Sequence, residues 1–135
     1  MPKFSDASRA ALDTCDPRLQ RIAEEAIKIV DFKVLEGHRG KEAQDAAFRE
    51  GNSKVRWPNG NHNKKPSRAF DFAPWPIDWS EKSTAIARFA FTAGVMYTVA
   101  RRLGTKIRFG WDWSRNLDPR DESFLDWPHV ELDEP

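Results

Sequence analysis

Leu19, Ile22, Ala23, Ala26, Ile27 and Val30 recur three or four positions apart, the spacing that lines up one face of an α-helix. Asp16-Pro17 just upstream supplies a start signal, with Asp as N-cap and Pro at the first helical position. A second stripe, Phe89, Ala93, Met96, Ala100 and Leu103, predicts a long helix with Ser80 as its cap and Gly104 as its stop. Residues 41–50 read as a shorter helix ended by Gly51. Residues 32–35, 69–73, 106–109 and 129–132 are short strand candidates, and Pro74-Trp75-Pro76 terminates the second. Gly37 to Gly40 form a turn, while 52–66 and 110–126 are loops rich in Gly, Pro, Asn, Asp and Trp. The expected fold is α+β, with helices packed around a small, mostly antiparallel sheet.

Composition narrows the function classes. The chain has 135 residues, enough for one compact domain, and no repeat or linker divides it. A formal net charge of +1 gives no sign, from composition alone, of a polyanion-binding protein. Cys15 is the only cysteine, so no intrachain disulfide is possible and a reducing compartment suits synthesis. Residues 1–11 lack the apolar core of a signal peptide, and no apolar stretch approaches the roughly 20 residues that span a bilayer. Stable membrane insertion is therefore not expected.

The histidines are His38, His62 and His129. His62 precedes Asp71 by nine positions, across a loop leading into a strand, and Asp126 precedes His129 by three. Zinc favours imidazole nitrogen and carboxylate oxygen, and a catalytic site combines three protein ligands with one water. Strand alternation puts Ala69, Asp71 and Ala73 on one face, and likewise His129 and Glu131, with Val130 and Leu132 towards the core. If these strands are neighbours, Asp71 and His129 meet above the sheet and the His62 loop closes over them. Spacing alone leaves a metal site and unrelated surface side chains both open.

Four blocks carry a family resemblance: Glu36-Gly37-His38-Arg39 with Gln44; His62 through Asp71 continuing to Pro74; Arg108-Phe109-Gly110-Trp111-Asp112-Trp113; and Asp126-Trp127-Pro128-His129-Val130-Glu131. In this order they resemble the zinc D-alanyl-D-alanine carboxypeptidase and L-alanyl-D-glutamate endopeptidase family, which includes phage endolysins. The resemblance implies a single catalytic peptidase domain over 1–135, without a separate wall-binding module. It implies zinc ligands at His62, Asp71 and His129, a catalytic carboxylate at Asp126 and a substrate-orienting Arg39. Glu131, Asp112 and Trp127 are further candidates for supporting the ligands or contacting substrate. Two departures stand out. Eight residues separate His62 from Asp71, more than in the commoner family pattern, so the Lys64-Lys65-Pro66 segment must bulge outward. Trp127-Pro128 also replaces the family's usual small pair.

The function expected from the resemblance is hydrolysis of the L-alanyl-D-glutamate bond in peptidoglycan stem peptides by a phage or prophage endolysin. The enzyme would be a monomer made in the host cytoplasm and released to the wall by a holin-type partner. The rivals are a D-alanyl-D-alanine carboxypeptidase, which would normally be exported, and a non-catalytic wall-binding protein on the same fold. Trp111, Trp113 and Trp127 are equally compatible with lining a cleft and bracing loops, whereas Trp75 and Trp79 are read as braces. Lys54, Arg56, Lys64, Lys65 and Arg68 make the first motif loop basic. No groove-reading motif accompanies them, so no nucleic-acid partner is expected; a solvated loop or attraction to an anionic wall fits better. Asp118, Asp121 and Glu122 offer too few oxygens for a regulatory hard cation.

Overall fold

The computed structural model describes residues 2–135. Its helices are α1 (Asp6–Leu12), α2 (Pro17–Ala26), α3 (Lys41–Arg49) and α4 (Ser83–Arg102). Its strands are β1 (Phe32–Glu36), β2 (Ala69–Pro74), β3 (Ile107–Phe109) and β4 (His129–Leu132), with 3-10 turns at Asn61–Asn63 and Pro119–Asp121. The strands form one sheet in the order β1-β2-β4-β3, antiparallel at every pairing.

Alternation along these strands separates the sheet into two chemically distinct faces. On one, Phe32, Val34, Phe70, Phe72, Phe109, Val130 and Leu132 join Leu19, Ile22, Ala23 and Ala26 of α2 and Phe89, Ala93, Met96 and Ala100 of α4 in one apolar cluster. Burying a side chain of the Phe or Leu class contributes roughly 1.5–3 kcal/mol, so this face anchors the sheet. The opposite face carries Asp71 beside His129, and Ala69 beside Glu131 beside Arg108.

Asp16 accepts the backbone N–H of Arg18 at 2.9 Å and Pro17 opens α2, as the sequence pattern anticipates. Gly104 sits at φ +74° just after α4, where the left-handed conformation suits glycine. Two details differ. Ser80 does not cap α4: the helix starts at Ser83 after Lys82, and the Ser80 N–H is engaged by Asp78 Oδ1 at 2.9 Å. A local turn competes successfully for the capping residue. Helix α1 has no counterpart in the sequence reading, being only seven residues long. The Ser5 hydroxyl accepts the Ser8 N–H at its start, and Ser8 Oγ accepts the Val34 N–H at 3.1 Å, tying α1 to β1.

A β-bulge in β1 matters for the opposite face. Val34 pairs with Phe72 but Glu36 pairs with Asp71, so Leu35 is the extra residue. The bulge turns Glu36 onto the Asp71 side of the sheet; bulges of this kind re-aim side chains beside functional sites. Among the described residues, no helix is long and apolar enough to cross a membrane.

Candidate metal centre and cleft

Asp71 and His129 are direct cross-strand partners. His62 reaches them from the turn that precedes β2. The lengthened segment does bulge: Lys64, Lys65 and Pro66 are exposed between buried Asn63 and Ser67, and the Arg68 N–H closes the loop on Asn61 O at 2.9 Å. His62 Nε2 lies 3.2 Å from Asp71 Oδ1 and 3.2 Å from His129 Nδ1, and His129 Nδ1 lies 3.4 Å from Asp71 Oδ1.

The remaining ring nitrogens show which lone pairs face inward. His62 Nδ1–H donates to Gly37 O at 2.8 Å, and His129 Nε2–H donates to Glu131 Oε1 at 2.7 Å. Each bond leaves the other ring nitrogen as an acceptor pointing at Asp71 Oδ1. Three electron-rich atoms thus converge with no donor supplied by the surrounding protein, an arrangement that requires a shared proton or a cation. Among the described residues, His62, Asp71 and His129 are the group whose spacing could hold a metal ion.

Electrostatics follow the same arrangement. Burial opposes ionisation of Asp71, but hydrogen bonds carried by a proton shared with the His129 and His62 rings outweigh it and hold the carboxylate far below its usual range. Burial would lower the His129 pKa, yet the hydrogen bonds to Asp71 and Glu131 raise it to about 9. Burial likewise opposes a charged Glu131, but His129 and Arg108 bring its pKa down to about 2. Arg108 Nη2 donates to Glu131 Oε2 at 2.8 Å, so a line of charge runs from Arg108 through Glu131 to His129.

Asp126 stands apart from that network. Its side chain makes no hydrogen bond among the described residues, and it lines a cleft of about 370 Å³ with His62, His129 and Arg39. Burial, reinforced by the negative charge of Asp71, raises its pKa to about 6. A carboxylate poised near neutrality is suited to exchanging protons. Gly110 sets its position: the Asp126 N–H donates to Gly110 O at 2.8 Å and the Gly110 N–H to His129 O at 2.9 Å. A Cβ at Gly110 would meet Asp126 O at 2.3 Å and His129 Cβ at 2.8 Å.

Arg39 lines the cleft but is already engaged. Its guanidinium donates to Glu36 Oε1 at 2.6 and 2.9 Å, to Gln44 Oε1 at 3.2 Å and to Asp71 Oδ2 at 3.4 Å. Asp112 and Trp127, by contrast, are not brought to the cleft. Asp112 is buried, and its Oδ1 accepts the N–H groups of Asn116 and Leu117 at 3.0 and 2.9 Å, which shapes the loop after β3. Trp127 stacks on Trp111 at 5.8 Å and packs against the core. Trp113 is the tryptophan that forms the cleft wall: its ring lies 5.5 Å from His129 and stacks on Phe124 at 6.2 Å. Phe124 sits in a long loop without periodicity, so nothing in its sequence context marks it.

The phage L-alanyl-D-glutamate peptidase family model matches residues 1–133. The chain belongs to this family. The L-alanyl-D-glutamate peptidase of Escherichia phage T5 is 32% identical over a gapped alignment of 140 positions that covers 96% of this chain and 97% of the phage T5 protein. The crystal structure of the L-Ala D-Glu endopeptidase ChiX of Serratia marcescens matches with a TM-score of 0.76 and 24% identity over 98% of this chain and 90% of that one. That likeness bears on the fold. Membership makes the chain a peptidoglycan-cleaving peptidase of phage type, in line with the endopeptidase reading and against the carboxypeptidase and non-catalytic rivals.

Proposed function

We propose that this chain is a zinc endolysin that cuts the L-alanyl-D-glutamate bond of the peptidoglycan stem peptide. The observation that carries the metal assignment is the His62, Asp71 and His129 triangle, with sides of 3.2, 3.2 and 3.4 Å. Tetrahedral zinc with ligand atoms about 2.0–2.1 Å away separates those atoms by about 3.3–3.4 Å. The triangle fits that requirement, and two imidazoles with one carboxylate are a donor set zinc favours. When bound, zinc would supply a Lewis acid and an activated water.

The protein's own groups then divide the work. Asp126, ionised above a pKa of about 6, takes the proton of the attacking water and delivers it to the leaving amine of the D-glutamyl residue. Glu131 fixes the His129 tautomer, while Gly37 O does the same for His62. Arg39 holds Asp71 and contributes positive charge beside the developing oxyanion. The family match over residues 1–133 and one apolar cluster supporting the sheet favour reading the chain as a single catalytic domain. Monomeric action and release by a holin-type partner complete the proposal.

Three measurements test the reading. Elemental analysis should return one zinc per chain, and chelation should abolish lysis of purified peptidoglycan. Mass analysis of the digest should find new L-alanine C-termini on the glycan side. Free D-alanine as the product would favour the carboxypeptidase activity instead.

A further inference from the structure

The basic loop has a part the proposed chemistry does not use. Arg68 is tied to the backbone of Glu134, and the Arg56 guanidinium lies 4.5 Å from the Phe48 ring. Lys54 is different because it lines the cleft. Two other cations line that cleft, and both are already held in ion pairs: Arg39 with Glu36 and Asp71, and Arg108 with Glu131. Among the described residues Lys54 has neither an ion pair nor a hydrogen bond. Its ammonium is placed only by the Phe124 ring, 5.2 Å away.

The backbone beneath Lys54 is nevertheless anchored. Gln44 is 1% exposed, and its Nε2 donates to Ser53 Oγ at 3.0 Å and to Val55 O at 2.6 Å, the residues on either side of Lys54. Its Oε1 accepts from Arg39 and from Asn63. One buried amide therefore joins the Lys54 loop to the arginine and to the neighbour of His62. From Lys54 the cleft wall continues over Phe124 and Trp113 to His129.

We infer that Lys54 binds a free carboxylate of the stem peptide on the D-glutamyl side of the cut, an inference that rests on the stem-peptide reading above. A glutamyl residue linked onward through its γ-carboxyl keeps its α-carboxylate free. A diamino acid such as diaminopimelate at the next position carries a further free carboxylate. Such a substrate must approach the unpaired carboxylate of Asp126, while both arginines of the cleft are already engaged, so an unpaired cation on the wall serves it best. Lys54 fills that need, and its aromatic wall suits the hydrocarbon between the carboxylates.

The test uses the zinc-loaded enzyme and three N-acetylated stem peptides. The parent has D-glutamate and meso-diaminopimelate, the second an α-carboxamide on the glutamyl residue, and the third L-lysine in place of diaminopimelate. The wild type should favour the parent over one of the neutralised peptides by roughly two- to fivefold in kcat/KM, the range of an exposed ion pair. The peptide that suffers tells which carboxylate is bound. Lys54→Met should bring that ratio close to one through KM, and Lys54→Arg should keep it. Wild-type ratios retained in Lys54→Met, or no wild-type preference among the three, would overturn the inference alone. Failure of the wild type to cut any of the three would overturn the stem-peptide reading and this inference with it.

Discussion

His62 Nε2 and His129 Nδ1 face each other at 3.2 Å with their rings inclined by 63°. Each ring is aimed by the N–H on its far nitrogen, one donating to a carbonyl on the β1–α3 turn and one to a carboxylate on β4. Neither nitrogen can donate to the other when both rings are neutral and carry their proton on the outer nitrogen. The contact is unfavourable unless positive charge enters it.

Zinc uptake by the metal-free protein should be proton-coupled. His129 has its pKa raised from 6.5 to about 9, so in the metal-free fold its pairing stabilises fully below the unfolded value and that contribution is lost as pH rises through about 9. A metal must displace the same proton. Apparent zinc affinity should therefore rise about tenfold per pH unit across neutrality and level off near pH 9. Competition against a chromophoric chelator at several pH values measures the slope; a flat profile would contradict the assignment of His129.

Replacing Asp126 should separate metal binding from catalysis. Asp126→Ala is expected to keep one zinc and its melting temperature while losing about 10²–10⁴-fold in peptidoglycan hydrolysis. His129→Ala should lose both zinc and activity. Near wild-type turnover in Asp126→Ala would remove it from the role of proton carrier.

Glu131→Gln keeps the shape of the side chain but removes the charge shared by His129 and Arg108. Zinc affinity should fall about 10–100-fold, the usual cost of disturbing a group that orients a ligand histidine. The same chelator competition reads the change.

Gly110→Ala should damage the site without touching a ligand. The added methyl collides with Asp126 O and His129 Cβ, so the end of the β3–β4 loop must shift. Strain of about 1–3 kcal/mol is expected, visible as a lower melting temperature, together with a loss of activity larger than that destabilisation explains. Unchanged kinetics would show that the loop accommodates the methyl elsewhere.

Much of the fold was legible because local pattern carries it. The stripe in α2, the stop at Gly104 and the alternation in β2 and β4 are read from neighbours a few positions apart, and core and site faces follow from them. Alternation also placed Asp71 with Ala69, and His129 with Glu131. Helix α1 and the start of α4 escaped because a short polar segment and a competing Asp78 turn leave no periodic signal.

By itself, the sequence determined the main elements, the faces they bury and the residue types able to bind a metal. The ordered motifs indicated the family. Only the tertiary structure decided that Asp71 pairs with His129, that the bulge at Leu35 brings Glu36 beside Asp71, and that Asp112 and Trp127 turn away from the cleft. It also set Lys54 over Phe124, across two loops distant in the chain. Strand register and loop approach come from contacts between remote segments, whereas a periodic pattern encodes only the direction of each side chain from its own element.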